Sequence, residues 1–398
     1  MCSLCFSFFQ GFGSHWARLT CRGGRLQERA GVESAGNMPE ELVIVDYEKV
    51  RDGADLTAEV ERAFGPGGFG VIGIRNVPGF VEAKKEALSK VHKLAHLPKE
   101  ELEKLEDEKS MYNAGWSHGK EKLGDKPDFA KGSFYFNPIY DTPGTPEEQE
   151  AYPGFFPHNI WPKDAMPELE PAAKGLGSLM FSVLKDLVKH VDAFAAAKTP
   201  NYTPILADAV AATEKIKARL LYYFPLNKQT LEEESPDSWI GWHNDSDFFT
   251  CLAGDMFVDD ESGKEIACPD PKAGLYVEDR NGNDIKVAIP SNCMAVQLGE
   301  CVTIVTGGCV KATPHCVRGA NPGPESTQKV SRVSFPMFVG PKPQFQLKVA
   351  EGTSRDFVLQ NAMSNKVPEL GSRWTEDGQV FGEFQNKTFK AYYDAATK

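Results

Sequence analysis

The chain has 398 residues, 41% of them apolar and 25% charged, with a net charge of −12. That length suits one large domain or two ordinary ones with a sizeable core. The acidic balance argues against a general nucleic-acid binder, and no apolar run reaches the roughly eighteen residues of a membrane-spanning helix. Nine cysteines, odd in number and scattered without zinc-finger spacing, fit reduced thiols in an intracellular protein.

Residues 1–37 stand apart. Arg18, Arg22 and Arg25 precede the first acidic residue, Glu28, as in an organelle transit peptide, yet Met38 opens MPEELVIVDY like a natural start. The segment is therefore expected to be a leader or disordered extension. The protein is expected to be cytoplasmic, or plastid or mitochondrial if those residues act as a transit peptide.

ELVIVDY (41–47) reads as a short strand and GGFGVIGIRNVP (67–78) as a second, bounded by glycines and Pro78. Helical spacing is expected over 56–64 and 80–108, where Val81, Leu88, Val91, Leu94 and Ala95 recur on one face. The region 112–138 reads as loop-rich, and 166–197 as a long helix. From about 216 the pattern changes to short strands divided by turns: KARLLYYFP, GWHNDSDFFTCLAG, AGLYVEDRNGNDIKVAIP, CMAVQLGECVTIVTGG, KATPHCVRG and VSRVSFPMFVG. Within them Asn281-Gly282 is a hairpin signal. Many short strands at regular spacing suggest a jelly roll or barrel, and residues 353–398 read as a mostly helical tail.

In GWHND, His243 and Asp245 stand two apart, so an extended strand points both the same way. Buried together they need a partner, and a metal ion is one such partner. His315 follows 70 residues after Asp245 in KATPHCVRG. Two histidines and one carboxylate on one face of an octahedral ion leave three positions open, as in non-haem Fe(II) oxygenases. Arg332 and Ser334, in SRVSF, again share a face, and a guanidinium beside a hydroxyl suits a carboxylate. His92 and His96 are expected on a helix surface. Trp239 and Trp242 are expected to pack rather than line a substrate pocket, and Phe249 to be core.

These residues, in this order, resemble the plant- and isopenicillin-N-synthase-like branch of the Fe(II)/2-oxoglutarate-dependent dioxygenases. VIVDY, GGFGVIGIRNVP, YNAGWSHGKE, NIWP and LGECVTIVTGGCVKATPHCV carry the likeness over roughly 40–345. It implies a mainly β core, a double-stranded β-helix (jelly roll) wrapped by N- and C-terminal helices. The chain then divides into the leader 1–37, an N-terminal α/β region 38–200, the catalytic core 201–345 and a helical tail 346–398. The resemblance implies iron ligation by His243, Asp245 and His315, and 2-oxoglutarate binding by Arg332, Ser334 and Tyr223. In the family a tyrosine precedes a proline in the strand ahead of the histidine–aspartate pair; here Phe224 holds that place, leaving Tyr222 and Tyr223 as candidates.

The implied reaction oxidises a small organic metabolite with O2, by hydroxylation in the default case, and releases succinate and CO2. Fe(2+), 2-oxoglutarate and O2 are its requirements, with ascorbate as a reductant. The alternatives are a same-fold oxidase that does not consume 2-oxoglutarate, a catalytically silent binding protein, or a zinc hydrolase. The expected partner is a small molecule, with no nucleic acid or membrane, and the protein is expected to be a monomer. Two departures from the family pattern, 258–274 and 319–329, lengthen the gaps on either side of His315 and read as loop insertions.

Overall fold

The computed structural model describes residues 41–120, 122–123, 126–226, 239–321 and 329–396, so the leader 1–37 lies outside the described residues. The strands of the N-terminal half are β1 (Val43–Asp46), β2 (Val71–Arg75), β3 (Gly115–His118), β4 (Lys122–Leu123), β5 (Lys126–Pro127) and β6 (Lys131–Phe136). They continue as β7 (Ile216–Tyr223), β8 (Ile240–His243), β9 (Phe249–Asp259), β10 (Glu265–Ile266), β11 (Gly274–Glu278) and β12 (Asp284–Lys286). The last are β13 (Cys293–Leu298), β14 (His315–Arg318), β15 (Val330–Val339), β16 (Gln346–Leu347) and β17 (Gln379–Val380).

Among the described residues, nine strands form a large sheet in the order β1-β2-β13-β9-β15-β7-β6-β3, with β10 paired to β9. Four form a smaller sheet, β12-β11-β14-β8. Only β1 and β2 pair in parallel within these two sheets; the other ladders are antiparallel.

Two-residue periodicity decides what each strand contributes. On β7, Ile216, Ala218, Leu220 and Tyr222 join the main apolar core, while Leu221 and Tyr223 join a separate cluster with Trp239 and Phe257. On β15, between β9 and β7, Val333, Phe335, Met337 and Val339 join the main core, so Arg332 and Ser334 turn to the other face. Pro336 cannot donate to a ladder, and the β15–β9 register shifts between Ser334 and Pro336.

The helix Leu169–Lys198 covers the main core with a stripe that includes Leu169, Ala173, Leu176, Met180, Leu184, Leu187 and Val191, all spaced by three or four residues. Gly177 lets that helix approach closely, because a Cβ there would come within 2.4 Å of Pro138. This helix is the one expected over 166–197. No described helix is long and apolar enough to cross a membrane.

Several local expectations differ from the structure. The stretch 80–108 is three short helices, Phe80–Leu88, Val91–Ala95 and Lys99–Glu103. Pro98, extended at φ −50° and ψ 141°, separates the last two. The region expected to be loop-rich carries β3 and β6, which pair with each other at the edge of the large sheet. In CMAVQLGECVTIVTGG only the first half is strand; after Gly299 the chain turns into the buried helix Glu300–Val305. The hairpin at Asn281-Gly282 is present, but Glu278 pairs with Asp284, so five residues rather than two make the turn. The segment 258–274 is partly ordered as β10, not wholly loop, while much of 319–329 lies outside the described residues.

Candidate active site

The smaller sheet supplies the metal-binding candidates. His243 ends β8 and His315 begins β14, and the two are direct cross-strand partners. Asp245 lies just beyond the end of β8, and all three are buried. Their rings and carboxylate converge: His243 Nε2 is 3.8 Å from Asp245 Oδ1, and His315 Nε2 is 3.9 Å from Asp245 Oδ2. Two donors of one ion can stand at most twice a bond length apart, about 4.2 Å for bonds of about 2.1 Å. Both separations meet that limit.

Each histidine is oriented from behind. His243 Nδ1 lies 2.8 Å from the Gly241 carbonyl and His315 Nδ1 lies 3.2 Å from that of Thr313. An Nδ1–H donated to each carbonyl leaves Nε2 with its lone pair facing inward. Burial, reinforced by the neighbouring His243 and only partly offset by Asp245, pushes the His315 imidazole down to about 4. A neutral imidazole is what a metal ligand requires. A buried carboxylate flanked by two such nitrogens fits a divalent cation.

The ligand loop is braced by polar groups that its sequence does not announce. The Thr250 hydroxyl donates to Asp245 Oδ2 at 2.6 Å. The Asn244 N–H donates to the Tyr392 hydroxyl at 2.9 Å, and its side-chain amide donates to Glu300 Oε1 at 3.0 Å. Glu300 is held in turn by Arg373 through two bonds of 2.5 and 2.7 Å, and its N–H donates to the Asp245 carbonyl. The C-terminal helix Phe381–Ala396 thus reaches the ligand loop through Tyr392.

The large sheet supplies the opposite wall. A cavity of about 270 Å³ is lined by His243, Asp245 and His315 together with Tyr223, Arg332 and Ser334. Arg332 is a direct cross-strand partner of Tyr223, and its guanidinium lies 5.0 Å from the Tyr223 ring centre. Tyr223 stacks on Trp239 at 5.0 Å. Of the two candidate tyrosines, Tyr223 faces the cavity. Tyr222 points to the other face and donates its hydroxyl to Asp260. The structure therefore gathers all six sequence candidates around one space.

Asp255, also in the cavity wall, escaped sequence reading. It accepts from Arg332 Nε at 2.9 Å. Burial works against the Arg332 charge, but the charges and hydrogen bonds of Asp255 and Tyr223 together more than offset it. Asp255 sits in a strand of ordinary composition, and nothing local singles it out.

A second, smaller cavity of about 50 Å³ shares His243 and Asp245 and is walled by Tyr135, Lys217, Arg219, Phe389 and Tyr392. Lys215, just before β7, and Lys217 and Arg219 on it alternate toward this side, a pattern that is visible in the sequence. Lys215 forms a buried ion pair with Asp247. Asp247 therefore does not join the metal trio, although it follows His243 and Asp245 in the same alternation. Phe249 is fully buried core. Trp242 packs with Tyr276 and Cys316.

No protein-family model matches the chain. It is 27% identical over 151 residues to a scopoletin 8-hydroxylase of Arabidopsis thaliana, a match spanning 34% of this chain and 40% of that protein. A full-length Neurospora crassa protein solved with alpha-ketoglutarate (2-oxoglutarate) superposes with a TM-score of 0.62 at 18% identity, covering 90% of this chain and 99% of that one. A 2-oxoglutarate–Fe(II) oxygenase family protein of Caulobacter crescentus gives 0.59 at 18% identity, covering 88% and 98%. The chain has the jelly-roll fold of the 2-oxoglutarate- and Fe(II)-dependent oxygenases, and among the described residues its strands form no closed barrel.

Proposed function

We propose that the chain is a 2-oxoglutarate-dependent non-haem iron dioxygenase that hydroxylates a small organic molecule. One observation carries the reading: the trio His243, Asp245 and His315 lines the same cavity as Arg332, Ser334 and Tyr223, from the opposite sheet. In the overall reaction O2, 2-oxoglutarate and a C–H substrate give the alcohol, succinate and CO2, with one oxygen atom entering each organic product. Bound Fe(II) would supply the activation of O2 that the protein's own side chains cannot provide.

The remaining work belongs to this chain. His243, Asp245 and His315 would hold the ion, leaving open positions for the 2-oxo acid end of the co-substrate and for O2. Arg332 and Ser334 would hold the distal carboxylate, with Tyr223 supporting the guanidinium from beneath. Asp255 accepts from Nε of Arg332 and Tyr223 is hydrogen-bonded to the same guanidinium, so the group is fixed in the cavity wall. The apolar wall, including Leu221, Ile240, Leu252 and Val317, excludes water from the reacting groups.

The test incubates iron-loaded protein with 2-oxoglutarate and a metabolite extract in air, following succinate and mass gains of one oxygen. Succinate with an oxygenated product, both lost in His315→Ala, supports the reading. An oxygenated or dehydrogenated product formed without succinate assigns the same-fold oxidase instead.

A further inference from the structure

Two histidines not used by the proposed reaction meet a carboxylate on another part of the molecule. His92 lies on the short helix Val91–Ala95 and His96, four residues on, caps its C-terminus, its N–H donating to the His92 carbonyl at 3.2 Å. Their rings stack with centres 4.3 Å apart. Asp260, at the turn between β9 and β10, comes over them. One donor atom from each of the three residues lies within 4.8 Å of the others.

The donor orientations suit an ion. His96 Nδ1 lies 2.9 Å from the His92 carbonyl, so its Nδ1–H donates there and Nε2 keeps its lone pair. That Nε2 is 3.8 Å from Asp260 Oδ1. His92 Nε2 lies 2.8 Å from the Asp260 backbone carbonyl, where an Nε2–H donates; an ion bound at this nitrogen would displace both that proton and the carbonyl contact. Asp260 Oδ1 accepts from two hydroxyls, Tyr222 and Ser331, which fix the carboxylate and leave Oδ2 as the oxygen an ion would take. Burial and the bond to Asp260 keep the Tyr222 phenol protonated, so it serves as a donor.

The turn that brings Asp260 here belongs to 258–274, the stretch that departs from the family pattern. Gly263 allows the approach: it adopts φ +66°, and a Cβ there would stand 2.6 Å from the His92 ring. We infer that His92, His96 and Asp260 form a second divalent metal site, of the zinc class, that fastens the β9–β10 turn to the N-terminal helices. Two imidazoles and one carboxylate, with the histidines a helical turn apart, are a donor set that zinc and its first-row neighbours accept.

The test uses the full chain and Zn2+ alone, counting bound metal at equilibrium and following the melting temperature as zinc is added. His96→Gln removes an exposed ring and serves as the main variant; His92→Gln is the second, and His315→Ala reports the active-site trio separately. The parent is expected to bind one more equivalent than His96→Gln or His92→Gln, and zinc is expected to raise its melting temperature further. His315→Ala is expected to keep that zinc-dependent gain. Equal stoichiometry and equal zinc response in parent and both glutamine variants would overturn the inference, whatever happens at His315.

Discussion

Replacing Arg332 with alanine removes the group that most directly separates a 2-oxoglutarate enzyme from other uses of the same trio. The guanidinium is buried, donates from Nε to Asp255 and is hydrogen-bonded to Tyr223, and its other N–H groups are assigned to the 2-oxoglutarate carboxylate. Hydrogen bonds to a charged group contribute about 1.5–3 kcal/mol. Their loss should weaken 2-oxoglutarate binding by about 10-fold to about 150-fold, since 1.4 kcal/mol is about tenfold. The effect should lie toward the upper end, because Asp255 then faces the incoming dicarboxylate without its cation. Adding Asp255→Asn should recover part of the loss. Arg332→Lys keeps the charge but not the planar fork, and should fall between parent and alanine. Calorimetric titration of the metal-loaded proteins without O2 measures these constants, and circular dichroism checks folding. If folded, metal-binding Arg332→Ala bound 2-oxoglutarate within twofold of the parent, the assigned role of Arg332 would be wrong.

Other consequences follow from the same geometry. His315→Ala or Asp245→Ala should abolish turnover and reduce Fe(II) affinity sharply, read by metal titration, while leaving a folded protein. The His315 imidazole is held near 4, below its ordinary 6.5. Between those values the unfolded chain therefore binds more protons, and stability rises with pH. The metal-free protein should lose up to about 3 kcal/mol as pH falls from above 6.5 to below 4, the part of its acid destabilisation that His315→Ala removes. Asp247→Ala strands the buried Lys215 ammonium and should cost about 3–5 kcal/mol in denaturant unfolding. Tyr392→Phe leaves the buried Asn244 N–H without its acceptor, and should cost about 1–3 kcal/mol and weaken metal binding.

The residues gathered around the main cavity were the most legible part of this chain. Arg332 and Ser334 keep one face because both lie on β15, whereas Asp245 lies beyond the end of β8 and meets His243 through the turn rather than through strand alternation. The choice between Tyr222 and Tyr223 was not local. It depended on the pairing of β7 with β15, which sets Tyr223 opposite Arg332 and sends Tyr222 to Asp260. Asp255, Glu300 and Arg373 were invisible for the same reason: their partners lie 77 and 73 residues away in the chain. Gly299 shows why the strand reading of 293–308 failed in its second half. The apolar run continues through ECVTIV, and a fully buried helix has the same composition as a buried strand.

The central claim is that the two sheets grip one co-substrate between the metal trio and Arg332. It is tested most directly by titrating 2-oxoglutarate into the full-length protein without O2, with and without Fe(II). One equivalent is expected to bind in the presence of iron and binding is expected to be at least tenfold weaker in its absence, because the trio then contributes nothing to the 2-oxo acid end. Binding of equal strength with and without iron, or none in the iron-loaded protein, would contradict it.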